Sequence, residues 1–251
     1  MKSSIWVALA AASLVTLAGC KTSGMDLGGM VGAGANLATA ATLSDEDMRI
    51  LGDRTSEHAD KQNRVAPPAS KYAKRLAALT KDWQTVDGLK LDYKVYMVSD
   101  VNAFAVPNGA IRIYAGLMDA FNDDELRYVI AHEIGHVALG HSKRAFQMAY
   151  ATSAAREAAA ASGSAAVSAV SASELGALGE ALLNAQFSQK QENEADDYAV
   201  DFLRKKGLST AGSVTALRKL EAMHGNSRSM FSSHPAPGER AKRMEQRIAA
   251  K

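Results

Sequence analysis

Apolar residues recur at helical spacing through Leu126, Val129, Ile130, Ile134, Val137 and Ala138, which predicts an amphipathic helix. Asn122 stands where that helix would begin, and Glu125 three residues on can reach back to close a capping box. Upstream the period shortens. Leu91-Asp92-Tyr93-Lys94-Val95-Tyr96-Met97-Val98 alternates and is rich in β-formers, so it predicts a strand. Val101 to Val106 predicts another, Pro107-Asn108-Gly109 a turn, and Ala110 to Ala115 a third strand running through Gly116-Leu117-Met118 towards the helix. Nearer the N-terminus, Ser44 caps a helix from Asp45 to about Gln62, and Pro67-Pro68 interrupts the chain before a second one, Ser70 to Trp83. Tyr198, Ala199, Phe202 and Leu203 mark a later helix. The pattern is α+β: mostly helical, with a small β-sheet beside the helix that Asn122 opens.

The ends of the chain carry a different pattern. Lys2 precedes an apolar run, Ile5 to Ala18, that is too short to span a bilayer and reads as a signal peptide. It closes on Leu17-Ala18-Gly19-Cys20, which resembles a bacterial lipoprotein signal ending at its acylated cysteine. Residues 1–20 are then processing sequence. Multiple acyl chains on Cys20 would anchor the mature chain, and Lys21 in place of Asp resembles outer-membrane sorting, with the domain facing the periplasm. Residues 21–43, rich in Gly, Ala and Ser, read as a flexible tether. Residues 44–251 read as one domain with a sizeable core. Within it the Ala-rich stretch 145–185 reads either as a loose helical hairpin or flap near a site, or as a solvated helix of good helix formers.

Charge and cysteine content narrow the chemistry. A net charge of +2 with no basic stripe argues against a nucleic-acid partner. Cys20 is the only cysteine, so the folded part has neither a disulfide nor a thiolate metal site.

What remains is histidine and carboxylate. His132-Glu133-Ile134-Gly135-His136 puts two imidazoles at i and i+4, on one helix face, where they can share a zinc ion with Glu133 as general base. In Glu192-Asn193-Glu194-Ala195-Asp196, residues 192 and 196 also share a helix face. A catalytic zinc takes three protein ligands, and its histidines need partners for their second ring nitrogen; a carboxylate suits either task, and composition does not separate Glu192 from Glu194. His141 invites a three-histidine pattern, but that pattern needs Gly seven and His ten residues after the first His. Here they fall at eight and nine, on the wrong side of the helix, so His141 reads as structural. His58 and His224 read as surface residues.

These two motifs, with Asn102-Ala103-Phe104-Ala105, Gly109 to Met118 and Phe187 to Tyr198, resemble the gluzincin metallopeptidase family that includes HtpX, the Oma-type proteases and the CAAX prenyl proteases, and within it the periplasmic lipoprotein members of the LoiP kind. The resemblance runs from about residue 70 to the C-terminus. It implies a zincin fold with one Zn2+ per chain, held by His132, His136 and Glu192, with Glu133 as base and Asp196 behind His132. Glu194 would not be a ligand. Ser232-Ser233-His234-Pro235 and Arg240 resemble the family's His-Pro segment. That makes His234 and Arg240 candidates for stabilising the oxyanion, or His234 the occupant of the open metal position in a resting state.

The expected function is zinc-dependent endopeptidase action on unfolded or misassembled envelope proteins, a quality-control role, with another envelope protease as a candidate partner. The strand Ala110-Ile111-Arg112-Ile113-Tyr114 is the candidate edge on which a substrate adds as a further strand. The rival expectation is a non-catalytic, zinc-stabilised assembly factor for outer-membrane proteins, which would have no use for a base at Glu133. In a third reading the 145–185 segment holds the enzyme latent.

Overall fold

The computed structural model describes residues 43–152, 170–223 and 234–250. Cys20 and the proposed tether, the middle of the Ala-rich stretch, His224 and Ser232-Ser233 lie outside the described residues. Among the described residues no helix is long and apolar enough to cross a membrane.

Helix α1, Asp45–Gln62, starts at a complete capping box between Ser44 and Asp47. Helix α2, Lys71–Leu79, is shorter than its sequence pattern predicts. Thr80 ends it by turning its hydroxyl onto the Leu76 carbonyl, and Trp83 instead packs edge-on against Phe202, 4.8 Å between centroids. The hairpin of β1, Thr85–Val86, and β2, Leu89–Lys90, follows. Its Asp87-Gly88 turn places both residues at positive φ, 50° and 81°, a two-residue loop that matches strand twist.

Strands β3, Asp92–Tyr96, β4, Ala103–Ala105, and β5, Ala110–Tyr114, form a mixed sheet in the order β3-β5-β4. β5 runs parallel to β3 and antiparallel to β4, with Phe104 opposite Arg112. The chain then passes through α3, Ala115–Ala120, into α4, Asp123–Ala138. The Asn122 and Glu125 side chains cap each other's backbone at 3.0 and 2.8 Å, and Lys219 grips Glu125 from a later helix at 2.6 Å.

α4 is buried on nearly every side. Leu126, Val129, Ile130 and Ile134 are at most 1% exposed, each contributing about 1.5–3 kcal/mol of apolar burial. They pack with the sheet, with α7, Gln189–Lys205, α8, Ala211–Ala222, and α9, Pro237–Ala249. A second apolar cluster joins α1 to α5, His141–Thr152, and α6, Ala172–Leu183, through Met48, Leu51, Phe146, Leu178 and Leu182. Of the Ala-rich stretch, the described ends thus bury one face, through Phe146, Ala149, Val170, Leu175, Leu178 and Leu182, in this cluster. His58, expected on the surface, is half-buried and faces Gly176 of α6.

The architecture is mostly helical α+β, with the small sheet beside α4. One expectation is overturned by the sheet order. Ala110, Ile111, Arg112, Ile113 and Tyr114 form the central strand, with both edges paired and every residue buried, so no peptide can add there. Among the described residues, the unpaired edge near α4 belongs to β4.

Candidate active site

Helix geometry stacks His132 and His136 so that their Nε2 atoms stand 3.0 Å apart. α7 crosses α4 closely because Gly135, between the two histidines, has no side chain. A Cβ there would meet Tyr198 Cδ1 at 3.1 Å and the Ala195 carbonyl oxygen at 3.2 Å. That approach brings Glu192 to the histidines: its Oε1 lies 3.4 Å from His136 Nε2, and its Oε2 3.5 Å from His132 Nε2. His234 completes the cluster, its Nδ1 3.0 Å from Glu192 Oε1 and 3.3 Å from His132 Nε2. All four side chains are buried, and their donor atoms lie within 4.8 Å of one another.

These separations test the fit of a metal. Ligand atoms around a tetrahedral zinc ion, with bonds of about 2.0–2.1 Å, stand about 3.3 Å apart. The separations of 3.0 to 3.5 Å around Glu192, His132, His136 and His234 are close to that spacing. Three imidazoles and one carboxylate, all dry and converging on one point, form a donor set suited to zinc.

The surrounding groups hold the four in place. Asp196, one turn after Glu192, sets Oδ1 2.9 Å from His132 Nδ1. The same carboxylate accepts the Tyr128 hydroxyl at 2.6 Å and two hydrogen bonds from Arg240, at 2.6 and 2.9 Å. The third guanidinium nitrogen of Arg240, Nη1, is against Glu192 Oε2. Tyr128 precedes His132 by four residues, so it belongs to the metal face of α4. The sequence reading missed it, although that spacing pointed to it. Phe187, part of the resembling segment but given no role there, stacks on the His136 ring at 4.0 Å.

The charges follow from this packing. Burial raises the Glu133 carboxyl above its ordinary range. Burial depresses both helix histidines, but at His132 the Asp196 and Glu192 carboxylates outweigh it and raise the ring to about 9. Burial also works to raise Glu192 and Asp196, yet neighbouring positive charges, Arg240 foremost for Asp196, hold both below the carboxylate range. Glu133 itself has no hydrogen bond on Oε1, which lies 3.5 Å from His234 Nε2.

His132, Glu133, His136, Glu192 and Asp196 are therefore all present in one buried cluster, and one expected role departs from the structure. Arg240 does not face a reacting carbonyl, because its guanidinium is engaged by Asp196 and Glu192 and is 2% exposed. Glu194 lies off the centre, as expected, with its Oε2 3.2 Å from His141 Nε2. His141 in turn sets Nδ1 3.1 Å from His136 Nδ1.

Comparison with known proteins agrees with this geometry. Peptidase family M48 matches residues 70–248. The chain is 46% identical over 246 residues to metalloprotease LoiP of Escherichia coli (strain K12), an alignment that covers 97% of this chain and 96% of that one. It is 43% identical over 253 residues to metalloprotease YcaL of the same organism, covering 100% and 99%. A shorter stretch of 63 residues is 32% identical to mitochondrial metalloendopeptidase OMA1 of Bos taurus, covering 24% of this chain and 12% of that one.

Proposed function

The chain belongs to peptidase family M48 and is a metalloprotease, and from that premise we propose that it is a zinc-dependent endopeptidase that cuts unfolded or misassembled proteins of the bacterial envelope. The observation that carries the chemistry is the convergence of His132 Nε2, His136 Nε2 and the Glu192 carboxylate beside a buried Glu133 whose Oε1 makes no hydrogen bond. Those three residues would hold one zinc ion. When bound, such an ion polarises a carbonyl and brings the pKa of water to about 7.

Glu133 is the general base. Its raised carboxyl accepts a proton from the attacking water and passes it to the leaving amine. Asp196 fixes the His132 ring through Nδ1, and Tyr128 and Arg240 fix Asp196. Arg240 is therefore a positioning residue, which leaves His234 to face the developing oxyanion.

The peptide pairs with β4. Asn102 and Val106 bond to β5, so the alternating Ala103 carbonyl and the Ala105 N–H and carbonyl point to the unpaired edge. Backbone pairing recognises extended chain over sequence, which supports unfolded substrates.

A specific observation favours a latent resting state. His234 stands between the metal ligands and Glu133, where water and a substrate carbonyl must enter. Ala103 and Ala105 are also buried, so their edge is closed to a peptide in this state. In this resting state His234 would hold the metal together with His132, His136 and Glu192.

The test of catalysis is incubation of the purified mature chain, loaded with zinc, with denatured casein. Wild type should cleave it and Glu133→Gln should not. Binding without cleavage by both would favour the rival, a non-catalytic assembly factor. For location, the sequence Leu17-Ala18-Gly19-Cys20 supports a lipid anchor in the outer membrane, facing the periplasm. The parent should incorporate labelled palmitate and Cys20→Ala should not; an unlabelled parent would refute that anchor.

A further inference from the structure

Among the described residues, His141 is the one buried histidine that the proposed centre does not use, and its position is unusual. On a continued α4 it would lie five residues past His136, about 140° around the axis and unable to reach it. The helix does not continue. Gly140 adopts φ +69°, a left-handed conformation that ends α4, and α5 begins at His141 on a new axis. The ring swings back under His136, Nδ1 to Nδ1 at 3.1 Å, and is 1% exposed. Its far nitrogen, Nε2, meets Glu194 Oε2 on α7 at 3.2 Å.

The protons in this row are determined by chemistry. To bind a cation, His136 presents Nε2 without a proton, so its one N–H is at Nδ1. That N–H donates to His141 Nδ1, which must then be the acceptor and carry its own proton on Nε2. His141 Nε2–H donates to Glu194. We propose that Glu194 and His141 are the positioning pair of His136, fixing its tautomer and ring plane from behind while Phe187 stacks on its face. The centre is then built symmetrically. His132 leans on a carboxylate directly, through Asp196, and His136 leans on one through an intervening imidazole. Glu194, chemically indistinguishable from Glu192 in the sequence, thus serves the same metal from its outer shell.

This inference rests on His136 being a metal ligand, so its test carries a control for that reading. Zinc affinity is measured by competition with a chromogenic chelator for the parent, His132→Ala, His141→Phe, Glu194→Ala and Glu194→Gln. Metal ligands lose about 10–100-fold in affinity when their outer partners are removed. His141→Phe, which keeps ring bulk, should weaken zinc binding within that range. Glu194→Ala, at a half-exposed position that leaves the core intact, should weaken it by about tenfold. Glu194→Gln, whose amide oxygen can still accept from His141, should restore most of the loss. The cobalt(II)-loaded His141→Phe and Glu194→Ala proteins should also show shifted ligand-field absorption, which packing damage remote from the metal would not produce. Parent-like affinity and spectra in His141→Phe and Glu194→Ala would overturn the pairing, provided His132→Ala binds weakly. Parent-like affinity in His132→Ala would instead overturn the metal centre itself.

Discussion

Among single residues, His234 carries the sharpest question, because its two nitrogens touch both halves of the machinery. Nδ1 approaches Glu192 and Nε2 approaches Glu133, so the ring closes the space between ligand and base. A latch and an oxyanion donor make opposite demands on a variant. If latching dominates, His234→Ala should raise the cleavage rate on denatured casein severalfold, because each productive encounter now skips the opening step. Metal analysis and initial rates on the same preparation check this. An inactive His234→Ala that still retains its zinc would show that the ring is needed for the reaction and would sink the latch. Arg240 differs in kind: with both partners buried carboxylates, its role is structural support of the centre.

At the level of elements, the sequence was most legible where the physics is local. The capping boxes at Ser44 and Asn122 and the bounds of α1 follow from neighbouring residues, and so does the histidine pair of α4. The pairing order of strands is not local. Ala110 to Tyr114 is expected as an edge, yet it is the central strand, and its Arg112 is buried through an ion pair with Asp60, fifty-two residues away. The hairpin at Asp87-Gly88 had a readable turn signal, whereas His141 was hidden by treating α4 as continuous past Gly140. The contact of α4 with α7 is likewise long-range, and Gly135 is where it can be probed. Gly135→Val would drive methyl groups into Tyr198 and the Ala195 backbone, costing about 1–3 kcal/mol of overpacking. Because α7 carries Glu192, zinc affinity should fall as well. Denaturant unfolding of the metal-free variant and chelator competition measure the two effects. Unchanged zinc affinity would mean that the helix contact does not set the ligand geometry.

For the whole molecule, the question is what fixes α1 and the second apolar cluster to the half that bears the metal ligands. The central device is Asp60 of α1. It accepts Arg112 through Nε and Nη2 at 2.8 and 3.0 Å, Lys94 at 2.7 Å and Tyr96 at 2.7 Å, tying one helix to two strands. Burial works to raise the Asp60 carboxyl, but these hydrogen bonds outweigh it and hold the group below its ordinary value. A carboxyl depressed in the folded state stabilises the protein above its unfolded pKa, about 3.9, and that contribution is lost as pH falls through the folded value. Asp60→Asn leaves the Arg112 guanidinium, 1% exposed, with Asp92 as its remaining carboxylate partner. The expected cost is about 3 kcal/mol at pH 7, since removing one member of a buried pair strands the other. The cost should shrink as both proteins are acidified below pH 4, because the parent then loses the same charge. Urea unfolding of the metal-free proteins across that range separates this from metal release. An equal penalty at pH 7 and at pH 3 would show that the carboxylate's shape, rather than its charge, holds the two halves together.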